Sequence, residues 1–171
     1  MPYMIRNAAM ATTAAQASVT TGTAIKTMLQ VATPATVQAR VIAWGFDLDD
    51  PPGADAIFEL LQTDVAATVT AHSASGVQPL DPNAPAALFT LGTSATGFTA
   101  SAEGSITATR TLDCVSMSSV SAEAAAGMVY RYQFMPDEQW IIPISKFLRI
   151  RATTPTTAVD MRCWVLVEQV G

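Results

Sequence analysis

The sequence predicts an all-β protein, a β-sandwich or jelly roll of about eight strands, and three features predict it. Short stretches alternate large apolar residues with polar ones at a period of two. Turn clusters rich in Pro, Gly, Asp and Thr separate those stretches. No segment carries a strong amphipathic helical stripe.

The elements follow along the chain. Residues 1–24 read as an N-terminal arm or flexible leader, because 7–22 (NAAMATTAAQASVTTG) is small, uncharged and poor in large apolar groups. Such a segment cannot bury enough surface to order by itself, so it either stays loose or orders against a neighbour. The β-domain is expected over 25–171. Its first strand is 25–31 (IKTMLQV), stopped by Thr33 and Pro34. In 37–48 a period of two puts Ile42, Trp44, Phe46 and Leu48 on one face and Val41, Ala43 and Gly45 on the other. The cluster DDPPGAD (49–55) is a turn. Residues 56–62 (AIFELLQ) and 65–71 (VAATVTA) are the next strands.

Residues 72–104 are rich in Ala, Ser, Thr, Gly and Pro. A structureless loop of that length is unusual in a compact domain. It is expected to be an excursion with a task of its own, containing a short element at 86–91 (AALFTL). Strand texture returns at 105–114 (SITATRTLDC) and at 128–135, where Met128, Tyr130, Tyr132 and Phe134 share a face. Residues 139–144 (QWIIPI) contain Pro143 and suit an edge or a corner. Residues 146–153 and 158–168 close the chain. In the last of these, Val159, Met161, Cys163, Val165 and Val167 alternate with Asp160, Arg162, Trp164, Leu166 and Glu168. Trp164 and Leu166 therefore face away from the core row and need cover, from a loop or from another subunit. Self-association follows as an expectation.

Composition narrows the function. Charged residues are 13% of the chain, about half the ~25% usual for soluble domains, which fits a protein that hides surface in a subunit contact. Nothing in the net charge of −5 or in the distribution of basic residues, which form no run, favours a phosphate-backbone binder. No continuous apolar core marks a signal peptide, and no stretch approaches the ~20 apolar residues of a membrane span. Synthesis in the cytoplasm without Sec export is expected.

Few residues suggest chemistry. His72 is the one histidine, in a small-residue segment, and a lone His without a motif is ordinarily a surface residue. There is no G-x-S-x-G, no G-x-G-x-x-G and no phosphate loop; the Gly-rich 92–97 lacks the necessary Lys. Asp47, Asp49, Asp50 and Asp55 could gather round a hard cation, but the EF-hand spacing is missing and a solvated turn is the ordinary reading. No metal site, cofactor site or catalytic residue is assigned. Cys114 and Cys163 suit apolar filling of strands, and whether they pair is open. Trp44, Trp140 and Trp164 could form a sugar-binding platform, but Trp44 and Trp164 lie in apolar strands and suit core or interface packing, whereas Trp140 beside Glu138 is expected to be exposed. Phe147, Arg149 and Arg151 share one strand face, either a mixed contact surface or an ordinary solvated one. With Trp164 and Leu166 they are the candidate subunit-contact residues.

Several segments carry a resemblance: TAIKTMLQV (23–31), DVAATVTAHSASG (64–76), DPNAP (81–85), TLGTSATGFTASAEGSITATR (90–110) and ISKFLRIRATT (144–154). This wording resembles capsid decoration (cement, or minor capsid) proteins of tailed bacteriophages that infect actinobacteria, over most of 23–154. The resemblance implies a non-enzymatic virion protein, a trimer on the capsid exterior that bridges subunits of the major capsid protein and stabilises the head. It implies neither a nucleic-acid partner nor a membrane partner. A trimer gripping several shell subunits gains from effective concentration, and it stabilises the assembled shell by mass action. The leader or the 72–104 excursion would lie over adjacent subunits and order on docking. The alternative is a trimeric tail, fibre or receptor-binding component. A free carbohydrate-binding module is a third reading, and an enzyme ranks last.

Overall fold

A strand whose large side chains alternate must bury one side, and two such sheets satisfy one another by packing face to face. A computed structural model, which describes residues 1–119 and 128–171, has that arrangement: two antiparallel sheets enclosing one apolar core. With strands numbered along the chain, the first sheet runs β10 (Met128–Gln133), β4 (Gln38–Leu48), β13 (Asp160–Val170), β1 (Pro2–Arg6), β7 (Val77–Pro79). Two short strands join it, β11 (Ile141–Ile142) on β4 and β2 (Val19–Thr20) on β13. The second sheet runs β6 (Thr68–Ala71), β8 (Gly97–Ala102), β3 (Ile25–Ala32), β12 (Phe147–Thr153), β5 (Ala56–Thr63), β9 (Thr109–Met117). The protein is a β-sandwich.

The principal strands pair in a nested order. β1 pairs β13, β3 pairs β12, β4 pairs β10, and β5 pairs β9. The core between the sheets is filled by their inward rows, among them Trp44, Phe46, Phe58, Leu60, Leu148 and Ile150, all essentially without solvent exposure. Phe46 stacks on Phe58 across the gap at 4.4 Å, and Tyr130 closes the cluster against Trp44 and Phe46. On the β9–β10 side, Asp113 of β9 ties the sheets together. It accepts hydrogen bonds from Trp44 Nε1 at 2.9 Å and from the Tyr130 hydroxyl at 2.8 Å. Burial, and then this acidic partner, push the Tyr130 phenol upward.

The structure departs from the sequence reading in several places, four of them in the course of the chain. The first few residues are not a loose leader. Pro2–Arg6 is a strand inside the first sheet, with Tyr3 and Ile5 buried. Asn7 continues the pairing, its side chain donating to Met161 O and accepting from Cys163 N, both at 2.9 Å. The apolar content of YMI suffices once two neighbours are waiting for it. Secondly, the β4 rows change sides. The register slips beside Ile42, where Leu166 pairs Ala43 but Val167 pairs Val41. This bulge puts Val41 inside with Trp44, Phe46 and Leu48, and leaves Ile42 half-buried. Thirdly, 72–104 holds regular structure at other places than 86–91: a 3₁₀ turn at Ala74–Gly76, then β7 and β8. Within 86–91 only Thr90 and Leu91 make isolated bridges, while Phe89 is buried edge-on to Tyr3. Lastly, 64–67 is not strand. It crosses the outer face of the second sheet, because Gln30 of β3 captures it by accepting from Ala67 N and donating to Ala67 O.

Candidate functional site

Two surfaces stand out, and the strand register positions both. The first is the outer face of the first sheet. Trp164 of β13 lies opposite Gly45 of β4 and Arg6 of β1; Leu166 lies opposite Ala43 and Met4. Met4, Ile42, Trp164 and Leu166 are all half-buried and form a contiguous apolar strip. A Cβ on Gly45 would stand 2.9 Å from Trp164 Cζ2 and 2.6 Å from Tyr130 O. Glycine there lets the indole lie down over the sheet, where Arg131 of β10 approaches its ring at 6.0 Å. Charges flank the strip. Arg162 pairs with Asp47 and Asp49 at one end, which raises the Arg162 guanidinium, and Arg40 pairs with Glu168 at the other. An indole laid flat beside aliphatic side chains and bordered by ion pairs has the composition of a protein–protein contact.

The second surface is an open cleft of about 510 Å³ between the edge strands β9 and β10, lined by Leu112, Tyr132, Phe134, Trp140 and residues 137–139. Of its lining, the sequence singled out Trp140 beside Glu138 as exposed, and the structure places that indole half-buried in the cleft wall. Tyr132 and Phe134 read from sequence as sharing one face with Met128 and Tyr130; in the structure Phe134 is buried and Tyr132 is exposed at the open side of the sandwich.

The predicted contact residues divide. Trp164 and Leu166 sit on the outer face as expected from their alternation. Phe147 is half-buried on β12. Arg151 is mostly covered and pairs with Glu59 at 2.9 Å. Arg149 departs from the expected open face: its side chain has no exposed surface. It belongs to a polar cluster on the outer face of the second sheet, roofed by the 64–67 and 103–108 crossovers. Arg149 donates to Glu103 Oε2 and to Glu103 O, each at 3.1 Å, and to Val65 O. Glu103 also accepts from Thr27 N and from the Thr27 hydroxyl. Burial holds the Arg149 guanidinium below its usual value, with Glu103 opposing the shift. Gly104 makes the roof possible: it turns at φ +74, in the left-handed region, within 2.5 Å of Ala66 O for any added Cβ. Asp64 pins the returning crossover by accepting from the Thr107 hydroxyl and from Ala108 N, which holds its carboxyl down to about 2.

His72 is buried, not on the surface. Its Nε2 bonds Arg6 O at 2.7 Å and its ring lies 4.8 Å from Phe98. Burial lowers its imidazole pKa. That arrangement ties the start of the excursion to the end of β1. Asp47 and Asp49 face Arg162, and Asp55 accepts from Ser119 N. Among the described residues no group of three or more His, Cys, Asp and Glu could hold a metal ion. Cys114 is exposed on β9 and Cys163 buried in β13, both as free thiols. No helix among the described residues is long and apolar enough to cross a membrane. Comparison of the chain with family models, curated proteins and solved structures finds no match.

Proposed function

We propose that this protein is a structural subunit of a bacteriophage virion, a decoration protein that binds the outside of the head as a homotrimer and bridges neighbouring major capsid proteins. The observation that carries the reading is the strip of Met4, Ile42, Trp164 and Leu166 on the outer face of the first sheet. It is apolar surface on a rigid sheet rather than on a loop, so it presents a fixed shape to a partner at small entropic cost. The wording of 23–31, 64–76, 81–85, 90–110 and 144–154 supports the same reading. So does the nested strand pairing, which we read as the winding of a jelly roll, an architecture used by viral capsid domains among others.

The test mixes purified protein with heads that lack it. Stoichiometric binding and raised thermal resistance of the heads are expected, and a Trp164→Ala/Leu166→Ala variant with an unchanged fold should lose both. Heads that are neither bound nor stabilised would refute the reading. A handful of copies per virion, in place of hundreds, would move the protein to the tail.

A further inference from the structure

We infer that the cleft between β9 and β10 binds a neutral saccharide, a site separate from the packing strip of the first sheet and independent of the head-binding reading. Its walls are aromatic. Tyr132 is 40% exposed and meets Phe134 edge to face at 4.9 Å, while Trp140 stands half-exposed on the next turn. Aromatic rings held at the edge of a rigid sheet give the apolar C–H face of a pyranose something to stack on. The rim is polar. The 135–138 turn closes through its backbone, Glu138 N donating to Met135 O at 2.8 Å, so the carboxylates of Asp137 and Glu138 stand exposed beside the cleft. Carboxylates accept from sugar hydroxyls, and the Gln139 amide offers both a donor and acceptors. The cleft volume of about 510 Å³ suits a few sugar rings rather than a protein segment.

Charge selects among ligands. Two carboxylates on the rim disfavour an anionic sugar or a phosphate. A cationic peptide is the rival, since aromatic rings with acids also attract ammonium groups. Arg110 weighs against it. Its guanidinium lies 5.4 Å from the Trp140 ring centre, fixed there by bonds to Gln62 Oε1 and Ile141 O. The indole already serves one cation, and a second would meet that charge. A neutral ring meets no such penalty.

The experiment is calorimetric titration of the full chain with maltohexaose, cellohexaose, mannohexaose and xylohexaose, and with hexalysine. At least one of the four oligosaccharides should bind saturably, one per chain. Trp140→Ala and the pair Asp137→Asn/Glu138→Gln should each weaken it by at least about tenfold, whereas Trp164→Ala should leave it unchanged. The acid-to-amide pair alters exposed side chains and should melt as the parent does, which separates lost binding from lost folding. Saturable binding by none of the four, binding that survives both variants, or binding by hexalysine alone would each overturn the inference.

Discussion

Replacing Arg149 by Met should destabilise this protein strongly although it removes a charge from a sheet face that the sequence presents as open. The side chain is fully covered, and its partner Glu103 is 24% exposed at the side chain. Removing the guanidinium leaves Glu103 without its cation and Val65 O without its donor, while the Thr27 bonds to Glu103 remain. Breaking a buried pair by deleting one member costs about 3–5 kcal/mol. Partial hydration of Glu103 moves the expectation toward about 2–4 kcal/mol, or a fall in Tm of roughly 5–15 °C for a chain of this size. Glu103→Gln should cost less, because an amide keeps part of the bonding to Thr27. The double variant should recover part of the loss, with a coupling of about 1–3 kcal/mol, since neither stranded charge is then left behind. Thermal and urea unfolding of the four proteins measures this cycle. A single-variant cost below about 1 kcal/mol, or singles that sum to the double within about 0.5 kcal/mol, would refute the cluster as the clasp that holds the two crossovers.

Other expectations follow from the same geometry. His72 is buried with its pKa lowered, so the unfolded chain takes up a proton near pH 6.5 before the folded one does; stability should therefore fall as pH drops below about 6.5. A His72→Asn variant, weaker at pH 8, should show a flatter pH profile over that window, and parallel profiles would count against the assignment. Asp64 has the opposite sign: its folded pKa is depressed to about 2, so its contribution is present above the unfolded value near 3.8 and is lost as pH falls toward 2. The deficit of Asp64→Asn relative to the parent should accordingly be present at pH 6 and shrink steeply between pH 4 and pH 2, read as the difference in denaturation midpoint. Gly45→Ala should cost about 1–3 kcal/mol, because the new methyl meets both Tyr130 O and the Trp164 ring. The lifted indole should show as a shift in tryptophan emission, and an unchanged spectrum with an unchanged midpoint would show that the indole does not rest on Gly45.

The all-β class and the spans of β3, β4, β5, β10, β12 and β13 were legible in the sequence, because a half-buried strand writes its period of two locally. The outward placing of Trp164 and Leu166 came from the same alternation, and it survives in the structure because both lie before the slip in the β4–β13 register. Other features depend on partners far along the chain. Pro2–Arg6 becomes a strand because Pro2 finds Glu168 and Ile5 finds both Val165 and Val77. Val41 turns inward because an extra residue enters β4 opposite β13, a property of the pair and not of either strand. Arg149 obeys its strand alternation yet is buried, since alternation chooses a face and says nothing of what crosses that face. The cleft beside Trp140 likewise arises where two edge strands, consecutive in sequence but in different sheets, come to lie on the same open side of the sandwich. Local periodicity thus determined most of the long strands, and long-range pairing and crossing chains decided the remaining ones and which outward faces meet solvent.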